Sequence, residues 1–229
     1  MRAGSLTFPK AFVRVPTIVL VSAGVDSCAL VEALLERGAL VIPLYVRGGL
    51  RWEFAELTWL KRWLARRHYP RLKPLMVRSM SVRDLYADHW STTGHGVPSH
   101  RSADTAVYLP ARNVWLLTIA ATLAAQRRCS ALALGTLKGN PFGDATPEFF
   151  RTMTAALSRA LSHPLQIIAP LRRLTKAQLI RRFPDLPFHL TFSCLQPRGL
   201  RHCGRCNKCA ERQRAFRAAH IPDPTAYAR

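Results

Sequence analysis

The chain has 229 residues, 48% hydrophobic and 21% charged, which is long enough for one substantial core with a small appendage and too apolar for a disordered segment. Lys and Arg total 34 against 13 Asp and Glu, a net charge of +21 whose field attracts phosphate-rich partners such as nucleotides or nucleic acid. No stretch approaches the roughly 18 to 20 apolar residues of a membrane span, and Pro9 and Pro16 interrupt the first 21 residues, so we expect no membrane partner, no signal peptide and a cytoplasmic location.

Residues 17–21 form a β-branched run suited to a buried strand, and residues 26–37, "DSCALVEALLER", carry apolar side chains at helical spacing up to Gly38. A second buried strand follows at 39–46, then an amphipathic helix at 53–68 with Phe54, Leu57, Leu60 and Leu64 on its apolar face, then a third strand at 73–77. Residues 79–108 hold His89, His95 and His100 among turn residues without a sustained period. They predict a long loop with at most a short helix, and their uneven spacing argues against a metal. Beyond it come a strongly apolar helix at 111–127, a fourth strand at 130–137, a helix at 147–161 opened by Pro147, a fifth strand at 165–171, and a helix N-capped by Thr175. Strands alternating with helices predict an α/β fold with a doubly wound, mainly parallel five-stranded sheet. We expect an α/β domain over 1–190 and a small C-terminal segment over 191–229, with a short helix at 207–219.

That last segment holds Cys194, Cys203, Cys206 and Cys209 at C-x8-C-x2-C-x2-C spacing. Closely spaced cysteines on a Gly204-containing knuckle supply the soft, tetrahedral ligands that Zn²⁺ requires, and a structural zinc site is the expectation. An iron–sulfur cluster is the competing use of such spacing. Cys28 and Cys129 fall on apolar elements and are expected in the core, and His202 is expected to face outward.

"SAGVDS", residues 22–27, lies between the first strand and the first helix, where an open parallel sheet binds its ligand and a helix N-terminus favours an anion. Ser22 and Ser27 offer hydroxyls, Gly24 lets backbone come close, and Asp26 suits a Mg²⁺ held on the same phosphates. An ordinary capped turn would have the same composition. The loop resembles the SGGxDS pyrophosphatase loop of the N-type ATP pyrophosphatases. Further stretches narrow the resemblance to the 7-cyano-7-deazaguanine synthase family of the queuosine pathway: "LPARN" at 109–113, "GTLKGNPFGDATPEFF" at 135–150, "PLRRLTKAQLI" at 170–180, "TFSC" with "HCGRCNKCAERQRAF", and the terminal "DPTAY".

The resemblance implies a ligase that uses ATP to adenylate the carboxylate of 7-carboxy-7-deazaguanine and converts it with ammonia to the nitrile. It assigns ATP and Mg²⁺ to Ser22, Ala23, Gly24, Val25, Asp26 and Ser27, adenine to the backbone of Leu44, Tyr45 and Val46, and catalytic roles to Asp26, Arg112 and Lys176. Asn113, Asp144 and Glu148 are the expected substrate residues, and Asp144 and Glu148 would otherwise cap the helix at Pro147. Two departures stand out. Ala23 replaces the family's second loop glycine, which requires a negative φ and a methyl turned away from phosphate. The family's Y-P-D-C-R stretch is replaced by "NPFGDATPEF", two residues shorter. The same adenylation of another carboxylate, or transfer of an activated deazaguanine to a macromolecule, is the nearest alternative. A basic zinc-knuckle protein making weak RNA contacts without ATP turnover is the second alternative. A homodimer is compatible with all three.

Overall fold

The computed structural model describes residues 15–228, so the expectations for residues 1–14 lie outside the described residues. Five parallel strands build one sheet in the order β3-β2-β1-β4-β5: β1 Pro16–Leu20, β2 Leu40–Arg47, β3 Met76–Ser79, β4 Ala131–Ala133 and β5 Gln166–Ile168. The chain runs outward through β2 and β3, returns, and adds β4 on the other side of β1. The switch point therefore lies between the C-terminal ends of β1 and β4.

The connecting helices are α1 Val25–Glu36, α2 Glu53–Ala65, α5 Arg112–Gln126 and α6 Pro147–Ala160. Right-handed crossovers in opposite directions put α1 and α2 on one face and α5 and α6 on the other. After β5, α7 Lys176–Arg182 returns to pack beside α1, and the C-terminal helix α8 Asn207–Ala219 packs on α7. Thr175 caps α7 through a reciprocal box with Gln178, and Pro147 opens α6 behind the Thr146 cap.

Four details depart from the sequence reading. Residues 79–108 form two single-turn helices, α3 Arg83–Tyr86 and α4 Trp90–Thr93, and a 3₁₀ turn at Asp104–Val107. The third strand starts at Met76 rather than residue 73, because Pro74 has no N–H for the ladder; only an isolated bridge joins Leu72 to Val41. The fourth and fifth strands are shorter than expected, as the chain peels away at Leu134 toward Gly135. The largest departure is in the first turn of α2: Leu57, Leu60 and Leu64 pack on the core as expected, but Phe54 is 76% exposed, while Glu53, Ala55 and Trp63 are buried.

Candidate active site

A cavity of about 300 Å³ opens over the switch point, lined from one end by residues 20–27 and from the other by the start of α2, the start of α5 and the segment at 134–144. The loop "SAGVDS" forms its floor. Ser27 is buried, and its hydroxyl donates to the Ser22 carbonyl at 2.6 Å while accepting the Ser22 N–H at 3.0 Å. The Ser27 hydroxyl thus closes the loop on Ser22 while Ser27 still borders the cavity. The Ser22 hydroxyl accepts from the Gly24 N–H at 3.1 Å and borders the cavity.

Gly24 has an extended backbone with φ −63°, so conformational freedom does not explain it; a Cβ there would meet the Ser22 Oγ at 3.2 Å. No side chain caps α1, which leaves first-turn N–H groups and the positive end of the helix dipole facing the cavity. Ala23 keeps its backbone outside the left-handed region and buries its methyl completely, with Ser22 and Gly24 lining the cavity on either side of it. Its carbonyl accepts the Phe192 N–H at 2.7 Å. The methyl is a core contact, and Ala23 offers the cavity no side chain.

Gly135 supports the loop from behind. A Cβ at this position would lie 3.1 Å from the Asp26 carbonyl oxygen and 3.3 Å from the Ser27 nitrogen, against backbone that cannot swing aside. Gly135→Ala is expected to displace the start of α1 and weaken nucleotide binding about tenfold or more. Titration with ATP, followed by tryptophan fluorescence, checks it.

Asp26 and Lys176 meet at 3.2 Å, bringing the first and last βα junctions together. Glu211 of α8 takes the other side of the Lys176 ammonium at 2.5 Å, and its second oxygen takes Lys208. Burial works against the charged Lys176, but Asp26 and Glu211 more than offset it and hold the ammonium protonated. Burial raises the Asp26 carboxyl against the pull of Lys176, and its Oδ1 is buried with no partner. Neither Glu211 nor Lys208 was legible as a site residue, since Glu211 reaches Lys176, and Lys208 the cavity, only through the docking of α8 on α7.

At the far end, Leu44, Tyr45 and Val46 line the wall, and the Leu44 carbonyl accepts from the Val21 N–H at 2.9 Å. Arg112 borders the cavity with its Nε buried and unpartnered, as is the Thr136 hydroxyl. Asn113 does not orient Arg112. It binds Asp144 instead, donating its backbone N–H to the carboxylate at 2.9 Å and its Nδ2 to the carbonyl at 2.8 Å. Asp144 therefore caps α5, not the helix at Pro147, and Glu148 stays outside the cavity in an exposed pair with Arg151.

The four cysteine sulfurs lie within 4.8 Å of one another and are all buried, with Cys194 and Cys206 4.0 Å apart and Cys203 and Cys209 3.9 Å apart. Tetrahedral ligands about 2.3 Å from one ion are about 3.8 Å from each other, so the sulfurs fit a single metal ion. A four-iron cube, which must hold irons and sulfides between its thiolates, requires wider separations. Backbone N–H groups of Leu195, Cys203, Arg205 and Cys206 point at three of the sulfurs. Hydrogen bonds from neighbouring cysteines, with these N–H groups, hold Cys203 well below the usual thiol value and Cys206 at about 7.

His202, expected to face outward, is buried; its Nε2 accepts the Ser193 N–H at 3.1 Å and its ring lies against Phe192. Cys28 and Cys129 are buried free thiols, as expected of core residues. Arg212, also buried, ties the terminal "DPTAY" down, donating to Asp223, Thr225, Thr191 and the Phe188 carbonyl. Among the described residues no helix is long and apolar enough to cross a membrane.

The fold resembles U34-tRNA thiolase NcsA from Methanococcus maripaludis, solved with its 4Fe-4S cluster, at a TM-score of 0.50 and 12% identity over 96% of this chain and 80% of that one. It also resembles a 4-thiouridine synthetase solved with RNA and bound ATP, at a TM-score of 0.50 and 15% identity over 90% of this chain and 50% of that one. Closer in sequence are two 7-cyano-7-deazaguanine synthases. That of Methanoculleus marisnigri is 29% identical over 93% of this chain and 98% of its own length; that of Paracoccus denitrificans is 31% identical over 92% of each. The family model described as queuosine biosynthesis protein QueC matches residues 16–220, and the chain belongs to that family.

Proposed function

We propose that the chain is an ATP-dependent 7-cyano-7-deazaguanine synthase, acting on 7-carboxy-7-deazaguanine and ammonia and releasing AMP and pyrophosphate. The observation that carries this reading is that Asp26 Oδ1, Thr136 Oγ1 and Arg112 Nε, three of the seven buried side-chain polar atoms without a partner among the described residues, belong to residues lining one cavity above an uncapped helix N-terminus. A buried polar group without a partner costs about 1–3 kcal/mol, so the cavity is built for a polar ligand that supplies these bonds.

In this reading the triphosphate lies over the start of α1, met by first-turn N–H groups, the Ser22 hydroxyl, Lys176 and Lys208. The adenine lies toward Leu44–Val46. The free oxygen of Asp26 suits a divalent ion, Mg²⁺, which neutralises charge on the departing pyrophosphate. The substrate carboxylate, drawn by Arg112, attacks the α-phosphate, and pyrophosphate leaves on the Lys176 side. Ammonia then displaces AMP to give the amide, whose oxygen must be activated by a second adenylation before it leaves as the nitrile forms. The four cysteines hold a structural Zn²⁺ in this reading, supported by sulfur spacings that match one tetrahedral ion.

Incubating the chain with ATP, Mg²⁺ and 7-carboxy-7-deazaguanine, with and without ammonia, tests the proposal by mass spectrometry. The expected result is the nitrile with AMP when ammonia is present, and without ammonia pyrophosphate release with the carboxylate held as its adenylate. AMP without nitrile in either arm would point to the alternative in which the activated group passes elsewhere. That outcome has a structural motive, since in the shortened stretch at 139–150 Glu148 stays outside the cavity and Asp144 spends one oxygen on Asn113. No pyrophosphate release from any carboxylate, with salt-sensitive RNA affinity, would sink the enzyme reading.

A further inference from the structure

The first turn of α2 runs against hydrophobic partition. Exposing a Phe forgoes roughly 1.5–3 kcal/mol of burial, yet Phe54 faces solvent while Glu53 and Glu56 turn toward the cavity. Such local violations concentrate where a site imposes them. Glu53 is accounted for by structure: it accepts the Gly48 N–H and sits 3.8 Å from Arg47. Glu56 is not. Its carboxylate accepts the Tyr45 hydroxyl at 2.8 Å, and among the described residues no cation pairs with it.

Asp26 pairs with Lys176 and Asp144 with Asn113, each through one oxygen. Glu56 spends one acceptor on Tyr45, has the rest of its capacity unspent and, unlike Asp26, has no cation on it among the described residues. Arg112 is close enough for its charge to lower the Glu56 carboxyl against the raising effect of burial, yet the two form no ion pair, and the Arg112 Nε remains without an acceptor. A carboxylate and a guanidinium border one cavity without an ion pair, each with bonds to make.

We infer that Glu56, fixed by Tyr45, is the specificity residue of this site, reading a heterocycle edge that presents two adjacent N–H donors while Arg112 meets the acceptor side of the same ring. The inference rests on the proposed function and deepens it. A deazaguanine carries N1–H and the 2-amino group side by side, matched to the two oxygens of one carboxylate, with its O6 and the neighbouring C7 carboxylate on the side open to Arg112. Adenine pairs a donor with an acceptor on its edge and gains nothing from two acceptor oxygens. The stacked Trp52 and Trp90 rings, 5.7 Å apart, and the Tyr108–Phe142 pair, at 5.4 Å, supply flat apolar lining for such a ring.

The test measures binding of 7-carboxy-7-deazaguanine, of its analogue lacking the 2-amino group, of guanine and hypoxanthine as simpler probes, and of ATP. These are compared in the unaltered chain, Glu56→Gln and Tyr45→Phe, with thermal melts verifying folding. The expected result is an unaltered chain that prefers the 2-amino form by about tenfold or more, a Glu56→Gln chain that loses this preference, and ATP affinity in Glu56→Gln within about threefold of the unaltered chain. Tyr45→Phe should weaken the preference without reversing it. An equal fall in ATP affinity would move Glu56 to the adenine end, and a preserved preference would remove it as the reader; either overturns the inference. If guanine and hypoxanthine are distinguished through Glu56 but 7-carboxy-7-deazaguanine does not bind, the reader stands and the proposed substrate falls.

Discussion

Stripping the metal from the four-cysteine site is expected to lower the Tm by about 10 °C or more and to abolish nucleotide binding, since structural zinc contributes on the order of 10 kcal/mol in small domains. Four buried sulfurs within 4.8 Å cannot all remain thiolates without a cation, and as thiols they lose the bonds that fix the knuckle. The effect should travel to the cavity by two routes. Cys206 is the N-cap residue of α8 and Cys209 lies in its first turn, so loosening them releases Lys208 and Glu211, and with them one side of Lys176. Phe192, two residues before Cys194, holds the Ala23 carbonyl of the 22–27 loop. Metal content by mass spectrometry, a chelation melt and ATP titration of the same samples check the chain of effects. One zinc per chain with a coupled loss is expected. An unchanged melt after complete chelation, or iron in place of zinc, would overturn the structural-zinc reading.

Much of this architecture was legible because its physics is local. Strands buried on both faces of a parallel sheet read as plain apolar runs, and the Thr175 and Pro147 helix starts are set by the residues at the first turn. The cysteines declare themselves by spacing alone. What was not legible depends on partners distant in sequence. Glu211 reaches Lys176 across 35 positions, and no local pattern marks it. His202 sits beside a presumptive ligand in a polar knuckle, but its ring is drawn inward by Phe192 and the Ser193 N–H. On α2 periodicity placed Leu57, Leu60 and Leu64 correctly and misjudged Phe54 for a related reason: it assumes that apolar residues turn in, while Glu53 is turned in by the Gly48 N–H and Glu56 by Tyr45. Asp144 looked like a substrate or α6 cap residue because the sequence places it near Pro147. The fold instead lays the 139–146 segment across the start of α5, where Asn113 takes it.

Replacing Lys176 by Met, which keeps the chain length and removes the charge, is expected to lower kcat/KM for pyrophosphate release by about 10²–10³-fold, the usual cost of losing one preorganised electrostatic contact to a developing charge. Lys176 is held between Asp26 at 3.2 Å and Glu211, so its ammonium is fixed before any ligand arrives and needs no reorganisation. Asp26→Asn should be comparably damaging, because it removes both the partner that holds Lys176 and the free oxygen suited to a divalent ion. The two side chains form one unit, which makes the double variant the decisive measurement. If they act together, Lys176→Met with Asp26→Asn should be no more than about tenfold worse than the poorer single variant, since the second change removes a group already misplaced by the first. Losses that multiply would mean that Asp26 and Lys176 serve separate steps. Near-normal turnover in Lys176→Met would shift the phosphate cation to Lys208, whose own pairing with Glu211 leaves it bordering the same cavity.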